Sequence, residues 1–242
     1  MFQTLIVQPL YNVFIAILGF MPHGDAGLAI IVLTLIIRAI FYPAFAASIR
    51  TQLGMQKIQG EVDVINEKYK DNPTKRAEHT MALFREHKIR PFASFLALII
   101  QLPVLFALYF ALFKEGLPAI ATHLLYGFVH APATVQMNFF GLVDLTKHHN
   151  LLLTIIVAAL QFAVVWLSVA RMKQAPKGSG VGRETREAAI RTQQQLMLYF
   201  FPAMMAVITY SLPAAVGLYF ATSNLVSLGQ EWLIKRQTAA AR

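Results

Sequence analysis

Residues Ala26 to Ala47 make an apolar run of 22 with one charged side chain, Arg38. As a helix at about 1.5 Å per residue the run is ~33 Å long, the thickness of a bilayer's hydrocarbon core. Three more stretches have this character: Phe92–Phe113, Leu151–Ala170, and a double-length run from Leu196 to about Ile234. The last is too long for one crossing. Pro213 divides it into Leu196–Leu212 and Ala214–Ile234, because proline cannot continue the backbone hydrogen-bond ladder. Five spans in an all-α polytopic membrane protein are therefore expected, and 57% hydrophobic with 14% charged residues excludes an ordinary soluble domain. The chain has no cysteine, which removes disulfides, thiolate metal sites, cysteine nucleophiles and an acylated cysteine.

The net charge of +9 is explained by where the positive residues fall. Nine lie between the first two spans, six in the loop after the third and three in the tail, against Lys114 and Lys147 alone on the opposite side. That bias places the dense loops and the C-terminus in the cytoplasm and the N-terminus of the first span outside. Insertion topology thus accounts for the basic balance, and direct nucleic-acid binding is not predicted.

The expected layout is an N-terminal segment over 1–25, a first span over 26–48, a cytoplasmic helical hairpin over 49–90, spans two to five over 91–234 and a short basic tail over 235–242. The N-terminal stretch "TLIVQPLYNVFIAILGF" carries Gln8, Pro9 and Asn12 and lacks the charged start of a signal peptide. Its residues fit either a sixth span or an interfacial helix in the outer leaflet. Within Gln52 to Lys88, two helical patterns break at "DNPTK"; they read either as a solvated connector or as a mobile docking element for incoming polypeptide. The stretch "APKGSGVG" at 175–182 is flexible by composition and is no phosphate loop.

No catalytic residues are predicted. All seven histidines lie outside the spans, the only acid inside or at the end of a span is Glu231, and no serine has a base beside it. His148 and His149 alone make no metal cluster. Neither a metal nor a cofactor is expected. Arg38 is then the sole charge in the hydrocarbon, at a cost of about 2.5–3.5 kcal/mol on insertion scales. Either it snorkels to the headgroups or it lines a hydrated cavity. Polar residues on single helical faces favour the cavity: Thr34 one turn before Arg38; Ser94 and Gln101; Thr154, Gln161 and Ser168; Tyr219, Ser223, Ser227 and Gln230. A cationic groove admits two classes of function, a path for a small anion or a landing site for a segment of another protein.

The order "VQPLYNV", "IIRAIFYP", a charged hairpin, "IIQLPVLFALYFAL" and "FFPAMMAVITYSLPAAVGLYFATSNLVSLGQ" resembles the YidC/Oxa/Alb family of membrane protein insertases over nearly the whole chain. The resemblance implies a five-span core around a hydrophilic groove open to cytoplasm and lipid, in the bacterial plasma (inner) membrane. It implies that Arg38 is the groove arginine, with Thr34, Gln101, Gln161, Tyr219, Phe220 and Ser223 as client-binding neighbours. Pro43, Pro103 and Pro213 become structural prolines, Thr4–Phe20 the interfacial helix and Gln52–Lys88 the dynamic hairpin. Phe220 departs from the tryptophan frequent there, keeping stacking area without the indole donor. The resemblance is to the shorter members, for which neither a long basic ribosome-binding tail nor a large outer domain before the core is expected. The expected function is insertion of membrane protein clients into lipid, without ATP; the residues leave open whether the Sec translocon or a ribosome takes part. The alternative is a small-anion transporter using the buried arginine.

Overall fold

The computed structural model describes residues 3–90, 93–110, 117–172, 192 and 195–240. The stretch 175–182 and the side chain of Ser94 lie outside what is described. The chain opens with a π-helical turn, Gln3–Val7, that passes into α1, Gln8–Phe20, with Pro9 in the first turn. Proline lacks the N–H that would continue the ladder back into that turn, so the helix changes type beside it. Tyr11, Phe14, Ile15 and Leu18 recur at helical spacing and are fully buried, packing α1 against α2, Ala26–Ile40. Asp25 caps α2, accepting from the backbone N–H groups of Gly27 at 2.8 Å and Leu28 at 3.0 Å.

The first apolar run is not one straight helix. It breaks at Phe41, and α3, Tyr42–Lys57, leaves at 68° to α2. Pro43 is the physical reason, since it cannot donate to the carbonyl of residue 39 and its ring crowds that turn. The axis therefore turns three residues after Arg38. The helix also continues past the expected start of the hairpin, to Lys57, before a short interruption at Ile58.

The hairpin consists of α4, Gln59–Lys68, and α5, Pro73–Glu86. Asn72 caps α5 by accepting from the Lys75 N–H at 3.0 Å, so "DNPTK" breaks the pair as its residues dictate. Ile58, Leu83 and Ile89 are buried here, flanked by Met55, Val62, Ile65 and Phe84, in a small core separate from the main one.

The remaining helices are α6, Ala93–Tyr109; α7, Leu151–Met172; α8, Phe201–Ser211, entered through a π-helical turn Leu196–Phe200; and α9, Ala214–Ala240. α9 packs on α7, α2 and α3; α7 also packs on α8, and α3 on α6. Gly217 lets α9 approach closely, since a β-carbon there would lie 3.0 Å from Thr209 Cγ2 and 3.2 Å from Leu153 Cβ.

By length and hydropathy, two described helices suffice to cross a membrane, Gln3–Phe20 and Leu151–Val169, or three if the bent pair α2–α3 counts as one span. The expected count of five rests on segments that fall short individually. α6 is described over 17 residues, Leu196–Ser211 is a shorter apolar helix, and α9 is diluted by Thr222, Ser223, Asn224 and Gln230.

The loop before α7 has more order than its composition suggests. It contains a 3-10 turn, Thr122–Leu124, and a two-residue antiparallel pair, β1 Asn138–Phe139 with β2 Val143–Asp144. The polar residues of the N-terminal helix hold it. Asn12 donates to Leu124 O at 2.9 Å and accepts from Tyr126 N at 2.7 Å, Gln8 donates to Leu124 O at 3.1 Å, and Tyr11 Oη accepts from Ala121 N at 2.9 Å. The same loop serves the turn at Pro213: Ala214 N donates to Lys147 O at 2.9 Å and Ala215 N to Leu145 O at 3.1 Å. Donors that a helix start leaves unpaired are thereby satisfied.

Candidate functional site

Arg38 lies in the last turn of α2, because the break at Phe41 ends the helix there. It does not reach the surface: 9% of it is exposed, so snorkelling does not describe this side chain. Among the described residues it forms no ion pair with a carboxylate. Two features compensate its charge. The terminal carbonyls of a helix carry partial negative charge, worth about 0.3–1 kcal/mol and up to ~2 when partly buried. The Phe45 ring lies beneath the guanidinium, with Cζ 4.2 Å from its centroid, a cation–π geometry.

Tyr219, from the second turn of α9, brings the polar partners. Its hydroxyl faces the side chains of Ser223 and Gln101 and lies near Arg38. Arg38, Gln101, Tyr219 and Ser223 thus converge from α2, α6 and α9. Tyr219 and Ser223 are buried and Gln101 half-buried. Phe220 is half-buried against the main core, its ring 5.4 Å from that of Tyr219.

Other expected members share no hydrogen bond with the side chains of this group among the described residues. Thr34 is buried, but its hydroxyl donates to Ile30 O at 2.6 Å, within its own helix. Thr154 and Ser227 likewise donate to the carbonyls of Asn150 and Ser223, at 2.8 and 2.9 Å. Such local bonds spend the hydroxyl proton on the backbone. Gln161 is half-buried on α7 and shares no hydrogen bond with the Arg38 group among the described residues. Pro43 starts α3, Pro103 lies inside α6, and Pro213 separates α8 from α9.

Phe45 is the member that sequence reasoning missed. Its signal was available, since it follows Arg38 by seven residues, the spacing used to align polar residues elsewhere. Asn224 was also passed over. It is buried, and among the described residues its Nδ2 has no hydrogen-bond partner; the same holds for Gln230 Oε1 and Thr209 Oγ1. Among the described residues, no group of three or more His, Cys, Asp or Glu could hold a metal ion.

The family model described as "60Kd inner membrane protein" matches residues 19–241, which takes in every element of this cluster. The chain belongs to that family, the YidC/Oxa/Alb family. A relative from Fusobacterium nucleatum, named membrane protein insertase YidC, is 28% identical over 236 residues, covering 95% of this chain and 98% of the relative. A relative of the same name from Alcanivorax borkumensis is 32% identical over 213 residues, 88% of this chain but 31% of its own length. One from Prosthecochloris aestuarii is 28% identical over 218 residues, 88% of this chain and 33% of its own. The chain thus matches one relative end to end and about a third of the two others. Family and apolar helices together make this a multi-pass inner-membrane protein.

Proposed function

We propose that this chain is a membrane protein insertase, and that the Arg38 cluster receives the polar tail of a client while its apolar segment passes into lipid. The observation that carries the reading is a guanidinium inside the bundle, set over an aromatic face near a phenol and, among the described residues, in no ion pair with a carboxylate. Its charge remains available to an acidic visitor. Family membership and the names of the relatives support it. The buried polar atoms of Asn224, Gln230 and Thr209 that lack partners support a hydrated groove, because such atoms are rarely left unsatisfied.

In this mechanism the client first meets the α4–α5 hairpin and then places its tail beside Arg38. At an effective dielectric near 20, attraction between unit charges 4 Å apart is about 4 kcal/mol before desolvation is subtracted, enough for a transient stop. Each apolar side chain buried in lipid then contributes roughly 1.5–3 kcal/mol, so hydrophobic transfer drives insertion. The proposed topology has the N-terminus outside, the C-terminus in the cytoplasm and α1 lying at the outer interface. Clients and lipids are the partners; the Sec translocon and the ribosome are further candidates.

Reconstitution in sealed vesicles with an acidic-tailed client, followed by protease protection, tests this. Arg38→Ala is expected to slow insertion about tenfold, equivalent to ~1.4 kcal/mol, and Arg38→Lys to slow it less. Equal insertion by wild type and alanine variant removes the electrostatic step. Uptake of a small anion without any client would favour the transporter reading.

A further inference from the structure

A second cationic site lies away from the Arg38 cluster, where α3 meets the segment that follows α5. α3 presents Arg50, Thr51 and Gly54 on one face. After α5 the chain turns back through Lys88, in the left-handed region at φ 53°, and its backbone closes against the helix end with Ile89 N donating to Phe84 O at 2.8 Å. Ile89 seats on Gly54, where an added β-carbon would lie 3.0 Å from Ile89 Cγ1, and Thr51 Oγ1 donates to Arg90 O at 3.2 Å. These contacts frame a cavity of about 340 Å³, lined by Arg50, Thr51, His87, Lys88 and Arg90 over an aliphatic floor.

Three of these side chains are basic, Arg50, Lys88 and Arg90. Among the described residues neither Arg50, Lys88 nor Arg90 forms an ion pair, and the one acid engaged by the lining is Glu61, 3.6 Å from His87 Nε2. Like charges gathered on one concave wall repel each other and attract an anion. The volume falls in the range of small-molecule sites, about 300–1,000 Å³. Position selects the source of the anion. Ala47, last residue of the apolar run, lines the cavity together with Arg50 three residues later, so the cavity sits where the apolar run of the sequence gives way to charged residues. Lipid phosphates lie at that level, and basic pockets there recognise anionic headgroups.

We propose that this cavity binds the phosphodiester headgroup of an anionic membrane lipid, held by Arg50, Lys88 and Arg90. Since α3 and the segment after α5 each supply part of the wall, a bound headgroup ties the base of the hairpin to the membrane surface.

The test uses the full chain purified in neutral detergent, with lipid adducts followed by native mass spectrometry. Short-chain phosphatidylglycerol, phosphatidylcholine and inorganic phosphate are the probes. One phosphatidylglycerol per chain is expected, retained against millimolar phosphate and preferred over phosphatidylcholine. The double variant R50Q/R90Q is expected to bind it about tenfold more weakly or worse, while K68Q/K70Q, which removes equal charge at the hairpin tip, leaves binding unchanged. Circular dichroism checks that both variants fold. Equal binding by wild type and R50Q/R90Q, or equal loss in both variants, overturns the site. Displacement by phosphate as readily as by lipid overturns the lipid as its occupant.

Discussion

A charge can be kept inside an apolar bundle without an opposite charge if its surroundings are arranged as they are at Arg38. A helix terminus and an aromatic face share the task that a carboxylate performs elsewhere. Phe45→Leu preserves most of the volume and removes the π face. Insertion is expected to slow about fivefold, equivalent to ~1 kcal/mol, with little change in thermal unfolding in detergent; a large drop in melting temperature would mark the ring as packing alone. Asp144 offers a residue-scale test outside the spans. Hydrogen bonds from the Thr146 hydroxyl at 2.6 Å and backbone at 3.0 Å, aided by Lys147, hold its carboxyl below the usual range. A depressed folded value contributes stability above the ordinary carboxylate pKa of ~3.9, and that contribution is lost as pH falls through the lower folded value. Asp144→Asn is expected to lower protection of the β1–β2 loop in hydrogen exchange at neutral pH, with the difference from wild type closing near pH 2.

Elements here are positioned by a few close approaches and by polar clamps. Gly217 permits α9 to lie against α7 and α8, so Gly217→Val overpacks that crossing and is expected to cost about 1–3 kcal/mol, read as a lower melting temperature. Asn12 holds the outer loop through Leu124 and Tyr126, and Asn12→Leu leaves the Tyr126 N–H unpaired while Leu124 O keeps only its bond from Gln8. A loss of about 1–3 kcal/mol and faster proteolysis at 120–127 are expected. Unchanged proteolysis would mean that the loop is held by its apolar residues. The polarity of the N-terminal helix thus has a structural use, which the residues alone left ambiguous: Gln8 and Asn12 turn toward the loop.

At the scale of the whole molecule, the described residues form two cores. The main one joins α1, α2, α6, α7 and α9, and a smaller one lies at the hairpin and the end of α3. Few buried apolar contacts mean low local stability, so amides over 59–86 are expected to exchange faster than those of α7 and α9. Equal protection would argue against a mobile docking element. The sequence by itself determined the membrane class, the helical segments, the breaks at "DNPTK" and Pro213, and the singular status of Arg38. All follow from local chemistry: run length, proline geometry and the cost of a charge in hydrocarbon. Tertiary structure decided what surrounds that charge. The bend at Phe41 places Arg38 at a helix end and Phe45 beneath it, while Tyr219 arrives from a helix 181 residues onward. Thr34 and Gln161 shared the right periodicity, yet Thr34 bonds its own backbone and Gln161 shares no hydrogen bond with the group among the described residues. Periodicity reports which face of a helix a residue occupies; only packing between helices sets which faces meet.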